Sequence, residues 1–254
     1  MLKDMLQERK RRIIKDVGSK LLWSFEETIR KRSLVATTPV IDPREFNWVW
    51  TLERSAPAIR RELDAILRYR DQLPSIHEIS PDQRSITTDD RWKTYFLYGF
   101  GNRSEPNCAR CPVTASVLSR IPGLTTAFFS ILGPGKHIPR HRGVYKGLVR
   151  AHLGLKVPEP RTSCRMEIEG QTLRWREGEV IVFDDTFQHE VWNDSSEDRV
   201  VLLLDVLRPL PPALATLNRA LLAAVAASPY VTDGVANERE WERRFAQALQ
   251  REAA

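Results

Sequence analysis

The chain is poor in cysteine, methionine and glycine, and it has no long apolar run. Three cysteines among 254 residues cannot form a paired disulfide framework, which excludes the small disulfide-stapled class and points to a reducing compartment. Nowhere do about 18 apolar residues follow one another without a charge, so no transmembrane helix is expected. The opening MLKDMLQERKRRIIK is charged where a secretory leader needs an apolar core. Internal repeats and low-complexity tracts are missing too. The expected location is the cytoplasm.

Excess positive charge is confined to one end. The formal charge is +6, but residues 1–32 carry ten Lys/Arg against five acids, leaving 29 basic and 28 acidic residues elsewhere. With no basic patch interleaved with aromatics in the body, a nucleic-acid partner is not expected. In residues 2–32, Leu2, Leu6, Ile13, Val17, Leu21 and Phe25 fall near one helical face. This basic amphipathic helix, residues 1–35, has two uses. It docks on the body with its basic face solvated, the commoner outcome, or it lies on an anionic surface, peripheral to the inner membrane face.

Residues 36–91 read as a linker and a helix packed on the core. The linker spans 36–53; the helix has Ser55 as N-cap, Pro57 in its first turn and Ile59, Leu63, Ile66 and Leu67 as its apolar stripe. A polar stretch punctuated by Pro74 and Pro81 reads as a loop that leaves His77 exposed. From 92 to 209 the character is β. WKTYFLYGF, TTAFFSIL, LVRAHLGLKV, a hairpin turning near Glu169-Gly170, EVIVF and RVVLLLDVL are short strands parted by Gly/Pro turns, as in a sandwich or barrel. In LVRAHLGLKV, Arg150 and His152 share one face and Val149, Ala151, Leu153 and Leu155 the other, which predicts a polar cavity lined by that strand. Residues 210–254 form a helical extension, with Leu214, Leu217, Leu221 and Val225 on one face.

Four of the five histidines lie between Gly133 and Arg208. His141 and His189 each sit at the edge of an apolar strand, and neutral imidazoles suit a divalent metal. Arg199, ten residues after His189, has the planar fork that clamps a carboxylate. Cys108-x-x-Cys111 with His137 and His141 has too wide a gap for a zinc finger, and its histidines follow a Pro-Gly turn. The two cysteines are expected to shape a loop over the site, and Cys164 to be an ordinary strand-edge residue. Trp92, Trp175 and Trp192 are expected to pack in the core or rim. Arg140 and Arg142 flank His141 and either recruit an anion or are simply solvated.

Taken together, FSILGPGKHIPRHRG, R-x-HLGL at 150–155, WREGE at 175–179, FDDTFQHEVWN at 183–193 and EDRVVLLLDVLRP resemble the aspartyl/asparaginyl β-hydroxylase family of Fe(II)/2-oxoglutarate oxygenases, over about 92–209. The resemblance implies a mainly β fold with flanking helices around a double-stranded β-helix, the jelly-roll or cupin-like core. It implies His141 and His189 as iron ligands, Arg199 with Ser130 on the distal carboxylate of 2-oxoglutarate, and His152 on the cosubstrate side. Arg150 falls to a substrate carboxylate, although the roles of 150 and 152 are interchangeable. Cofactors are then Fe(II), 2-oxoglutarate and O2.

Most of the wider superfamily has an acid two residues after the first histidine; here that position is Gly143. The branch resembled manages with two histidines and water. Asp184, Asp185 and Glu190 lie near; strand alternation turns Glu190 away, and the aspartates are expected to orient the loop. Some non-haem iron halogenases resemble the same arrangement, with halide at the vacancy, but the hydroxylases match more closely. The implied reaction is hydroxylation of an unactivated C–H, first of all the β-carbon of an Asp, Asn or Asp-like unit, free or peptidyl. A fatty acyl chain of a membrane lipid is the alternative substrate, since relatives that act on such chains share His141-Arg142. A non-catalytic jelly-roll module that binds metal and acid is the rival from another class.

Overall fold

Alternation along the strands sorts their side chains between two apolar layers. The computed structural model describes residues 25–143 and 145–252, so of the helix expected over 2–32 only residues 25–32 are described, and these are helical (α1). The other helices are α2 (Trp48–Leu67), α3 (Ile76–Ile79), α4 (Glu105–Arg110), α5 (Pro112–Leu118), α6 (Pro212–Ala226) and α7 (Pro229–Glu252). Among the described residues eleven strands run β1 (Val40–Ile41), β2 (Trp92–Gly99), β3 (Asn102–Arg103), β4 (Leu124–Leu132), β5 (Lys136–His141), β6 (Leu148–Lys156), β7 (Cys164–Ile168), β8 (Gln171–Leu173), β9 (Val180–Phe183), β10 (His189–Asn193) and β11 (Arg199–Leu207).

The strands form a seven-stranded sheet, β1-β9-β6-β11-β4-β2-β3, and a four-stranded sheet, β5-β10-β7-β8, with every pairing antiparallel. This is the jelly-roll core with flanking helices. Val201, Leu203 and Phe128 of the larger sheet meet Ile138, Met166 and Val191 of the smaller one in the inner layer. Val149, Ala151, Leu153 and Leu155 of β6 and Val200, Leu202, Leu204 and Val206 of β11 turn outward against Leu52, Ile59 and Leu63 of α2. β11 lies mid-sheet with both faces covered, which explains its unbroken apolar run.

Three local expectations need correcting. The helix expected from Ser55 begins at Trp48, with Asn47 as N-cap and Pro57 inside it. The buried stripe Val49, Leu52, Ala56, Ile59, Leu63, Ile66 already runs ahead of the proline, so packing outweighs the hydrogen bond Pro57 cannot donate. Around His77 the chain forms a helical turn capped by Ser75 and Glu78, and His77 is half-buried, with a buried Nδ1 lacking a hydrogen-bond partner among the described residues. Cys108 and Cys111 lie in the outer layer with the helices, not over the inner face of the sheets. Cys164 opens β7, with its thiol 3.2 Å from Asn193 Oδ1.

A third, smaller apolar cluster joins the terminal helices. Ile29 of α1, Tyr145 and Leu210 and Leu222 pack together, with Phe25, Leu148 and Leu214 against them. Beside it, Arg142 donates to Glu26 of α1 at 2.6 Å, so α1 is tied to the residue next to His141.

Candidate active site

Register alone explains why two histidines 48 residues apart meet. β5 ends on His141, β10 begins on His189, and the two are direct cross-strand partners, with an irregularity in the ladder just beyond. Their ring centroids are 4.2 Å apart. His141 Nδ1 lies 2.8 Å from the Pro139 carbonyl and His189 Nδ1 2.9 Å from that of Phe187. A carbonyl only accepts, so both Nδ1 atoms carry the hydrogen and each Nε2 keeps its lone pair. Burial pushes both pKa values down, His189 to about 3 with further lowering from His141, so both rings are neutral at pH 7. Two neutral imidazoles with backbone-fixed tautomers fit a divalent metal.

The loop before His189 is held rigidly. Lys146 Nζ (2.8 Å) and Arg208 Nη2 (2.6 Å) donate to Asp184, which is fully buried, as does the Thr186 backbone (3.1 Å). Arg208 also donates to the Ala36 and Lys146 carbonyls. Asp184 thus orients the loop as expected. Asp185 does something different: its backbone carbonyl accepts from Gly143 N at 2.7 Å and its carboxylate meets Arg150 Nη1 at 3.0 Å. A Cβ added at 143 would collide with that carboxyl group. Burial raises Asp185 to about 6, against the pull of Arg150. Glu190 turns away, as expected, to His137.

Deeper in, Arg199 is almost fully buried, its guanidinium carbon 4.4 Å above the Trp175 ring, and burial lowers its pKa to about 10. Among the described residues its Nε and Nη1 have no hydrogen-bond partner. Trp175 Nε1 donates to His152 Nδ1 at 3.3 Å, which leaves the hydrogen of this buried, neutral imidazole on Nε2, and that atom is also unpartnered. Leaving such groups bare is costly, so three orphan donors call for an acceptor-rich ligand such as a carboxylate. Ser130 is buried on β4 beside them; its Oγ accepts from Trp92 Nε1 at 3.0 Å and keeps its own hydrogen to donate. Phe183 links the two groups of side chains, its ring 5.0 Å from His152 and 5.8 Å from His189.

Arg150 departs from expectation. It shares the inner face with His152, but Asp205 grips it through Nε (2.7 Å) and Nη2 (3.0 Å) and Asp185 through Nη1. Sequence reasoning missed Asp205, yet a signal was there: a single acid inside RVVLLLDVL must find a partner if the strand is buried. It also missed that Trp175 is a platform for Arg199, because aromatic packing and cation–π stacking look alike in sequence. Trp192 stacks on His137 and Arg165 at the rim, and Arg140 is exposed.

Residues 53–209 match the sequence model of the family described as aspartyl/asparaginyl beta-hydroxylase. Ornithine lipid ester-linked acyl 2-hydroxylase of Rhizobium tropici is 44% identical over 215 residues, 85% of this chain and 76% of that protein. Human aspartyl/asparaginyl beta-hydroxylase is 32% identical over 215 residues, 76% of this chain but only 27% of that longer protein. Among solved structures, a Pseudomonas putida prolyl-4-hydroxylase aligns with a TM-score of 0.38 at 19% identity, over 61% of this chain and 88% of that one.

Proposed function

Since the chain belongs to the aspartyl/asparaginyl β-hydroxylase family, we propose that it is an Fe(II)/2-oxoglutarate-dependent hydroxylase whose substrate is a fatty acyl chain of a membrane lipid. His141 and His189 would hold the metal through Nε2. Arg199, Ser130 and His152 would hold the cosubstrate, whose carboxylates suit the three orphan donors. When bound, iron and 2-oxoglutarate supply the oxidising chemistry: O2 is consumed, 2-oxoglutarate becomes succinate and CO2, and one oxygen atom enters a C–H bond. The protein's own part is to fix both imidazole tautomers, keep Arg199 dry so that its charge acts at full strength, and exclude water with Phe183 and Trp175.

The two substrate readings of the sequence change order here, and one observation carries the change. Arg150, the residue expected to hold a substrate carboxylate, is already neutralised by Asp205 and Asp185. An Asp-like substrate would have to displace one of them. The similarity to a lipid acyl hydroxylase supports an acyl substrate, and beside Arg142 the residues Phe25, Ile29, Leu210 and Leu222 form a packed apolar cluster. We also propose peripheral membrane contact through residues 1–35, of which Phe25 and Ile29 belong to that cluster.

Succinate release with an acyl lipid in mixed micelles, against an Asp-containing peptide, tests the reading, with His189→Ala as control. A lipid product heavier by one oxygen atom is expected. Turnover with the peptide alone returns the Asp/Asn reading; a gain of chlorine in chloride buffer would establish halogenation. Binding of 2-oxoglutarate with no turnover of any substrate favours the non-catalytic module.

A further inference from the structure

A groove of about 620 Å³ lies where α7 crosses the end of β2 and the β2–β3 turn, and it contains none of His141, His189, Arg150, His152 or Arg199. Its wall is apolar: Ile79, Phe96, Tyr98, Phe100, Val231 and Val235. The volume is that of a small-molecule site.

Charges at the rim are unequal in availability. Glu105 pairs with Arg103 at 3.0 Å, Glu242 with Arg110 at 2.8 Å, and Glu238 accepts from Ser104 (2.8 Å) and Asn107 (2.9 Å). Arg239 and Arg243, on successive turns of α7, are exposed and make no ion pair or hydrogen bond among the described residues. An apolar trough under two exposed guanidiniums, of which Arg239 also acts on the neighbouring Glu238, complements an amphiphile with an anionic head.

The groove also borders one end of a packed apolar row whose other end is the candidate active site. Phe96 forms part of its wall and stacks on Phe128 at 4.5 Å. Phe128 belongs to the inner layer with Leu203 and Phe183, and Phe183 touches both His152 and His189. Across the sheet, Phe96, Phe128, Leu203 and His152 are successive register partners on β2, β4, β11 and β6. Strands spaced about 4.8 Å apart put the groove's edge roughly 14 Å from His152 along one apolar row.

We infer that this groove seats an acyl chain of the lipid substrate, with Arg239 and Arg243 meeting the anionic part of the lipid. The inference rests on the proposed lipid-hydroxylase function and adds a site apart from the metal and cosubstrate residues.

The test is fluorescence titration of the full chain with pyrene-labelled hexadecanoate below its micelle concentration. Saturable binding is expected for the wild type and for His189→Ala. Val235→Glu, and separately the double variant Arg239→Glu/Arg243→Glu, should each weaken it at least tenfold while circular dichroism and melting stay as in the wild type. The same variants should raise KM for the lipid by a similar factor and leave kcat unchanged. No binding by the wild type, or equal binding by both groove variants, overturns the proposal, as does lost binding with an unchanged KM. Lipid hydroxylation by the wild type is read separately from product mass, so the groove can fail while the function stands, or the reverse.

Discussion

Arg199 is a cation held in a nearly dry setting with two nitrogens unpartnered, and its behaviour on substitution is distinctive. Burying an unpaired guanidinium costs desolvation energy, and an apolar residue of similar size in its place removes that cost. Arg199→Met is therefore expected to leave the urea midpoint of the metal-free protein unchanged or raised. The cost appears with the ligand: 2-oxoglutarate at about 100 times its Kd should stabilise the wild type by about 2.7 kcal/mol and the variant not at all. A wild-type midpoint insensitive to 2-oxoglutarate would remove the carboxylate role. A second expectation concerns pH. Between about 3 and 6.5 the unfolded chain binds a proton at His189 that the folded chain refuses, so stability rises with pH across that window. His141 and His152, also lowered by burial, act in the same direction. Asp185 opposes them, since between 3.8 and about 6 the folded chain keeps a proton that the unfolded chain has lost. The balance favours the histidines, at up to about 1.4 kcal/mol per pH unit per group. Urea midpoints of the metal-free protein at pH 4.5 and 7 should therefore differ clearly, and His189→Gln should flatten the difference. At this scale the placement and spacing of the sequence singled out His141, His189 and Arg199, and strand alternation put Arg150 and His152 on one face, whereas Ser130 came only with the family resemblance. The sequence could not reveal the counter-charges of Arg150, because register between distant strands is not written in either strand alone.

Among the elements, β6 is closely constrained at one position. Gly154 lies where the turn at Arg176 crosses the strand, and a Cβ there would strike the Arg176 carbonyl. The same crossing is closed by Gly154 N to Glu179 O (3.0 Å) and Gly178 N to Gly154 O (2.9 Å). That turn carries Trp175, the platform shared by Arg199 and His152. Gly154→Ala is expected to cost about 1–3 kcal/mol, the range for overpacking, and to weaken 2-oxoglutarate binding without touching a ligand residue. A melt shifted with cosubstrate affinity intact would show that the turn does not set the platform. The strands of this layer were legible because two-residue periodicity persists wherever one face differs from the other. α2 was misjudged at its start because a proline, a strong local signal, sits within a longer stripe of buried residues that tertiary packing rewards.

For the whole molecule, the Asp184 centre joins three distant parts of the chain. Arg208 at the end of β11, Lys146 ahead of β6, and Ser33 and Ala36 after α1 all converge through it on the loop that leads to His189. Asp184→Ala would leave two buried cations without their shared anion and is expected to cost about 3–5 kcal/mol; Asp184→Asn should cost less. Chemical unfolding measures both, and a loss under 1 kcal/mol for the alanine variant would show that the cations reach water. The sequence marked Asp184 as a loop-orienting residue but not its partners, because the bonds that build the centre join residues 24 to 175 positions apart.

The contact between Asp185 and Gly143 has a consequence for any attempt to redesign this centre. An acid at 143 would give the three-ligand set of the wider superfamily, yet Gly143→Asp alone drives its first carbon into the carboxyl group at 185. Clearing that space by Asp185→Gly strips Arg150 of one of its two anions. If His141 and His189 hold a metal as proposed, the route from two protein ligands to three passes through a disfavoured intermediate whichever change comes first, and steric exclusion at 143 would help keep such a site at two histidines.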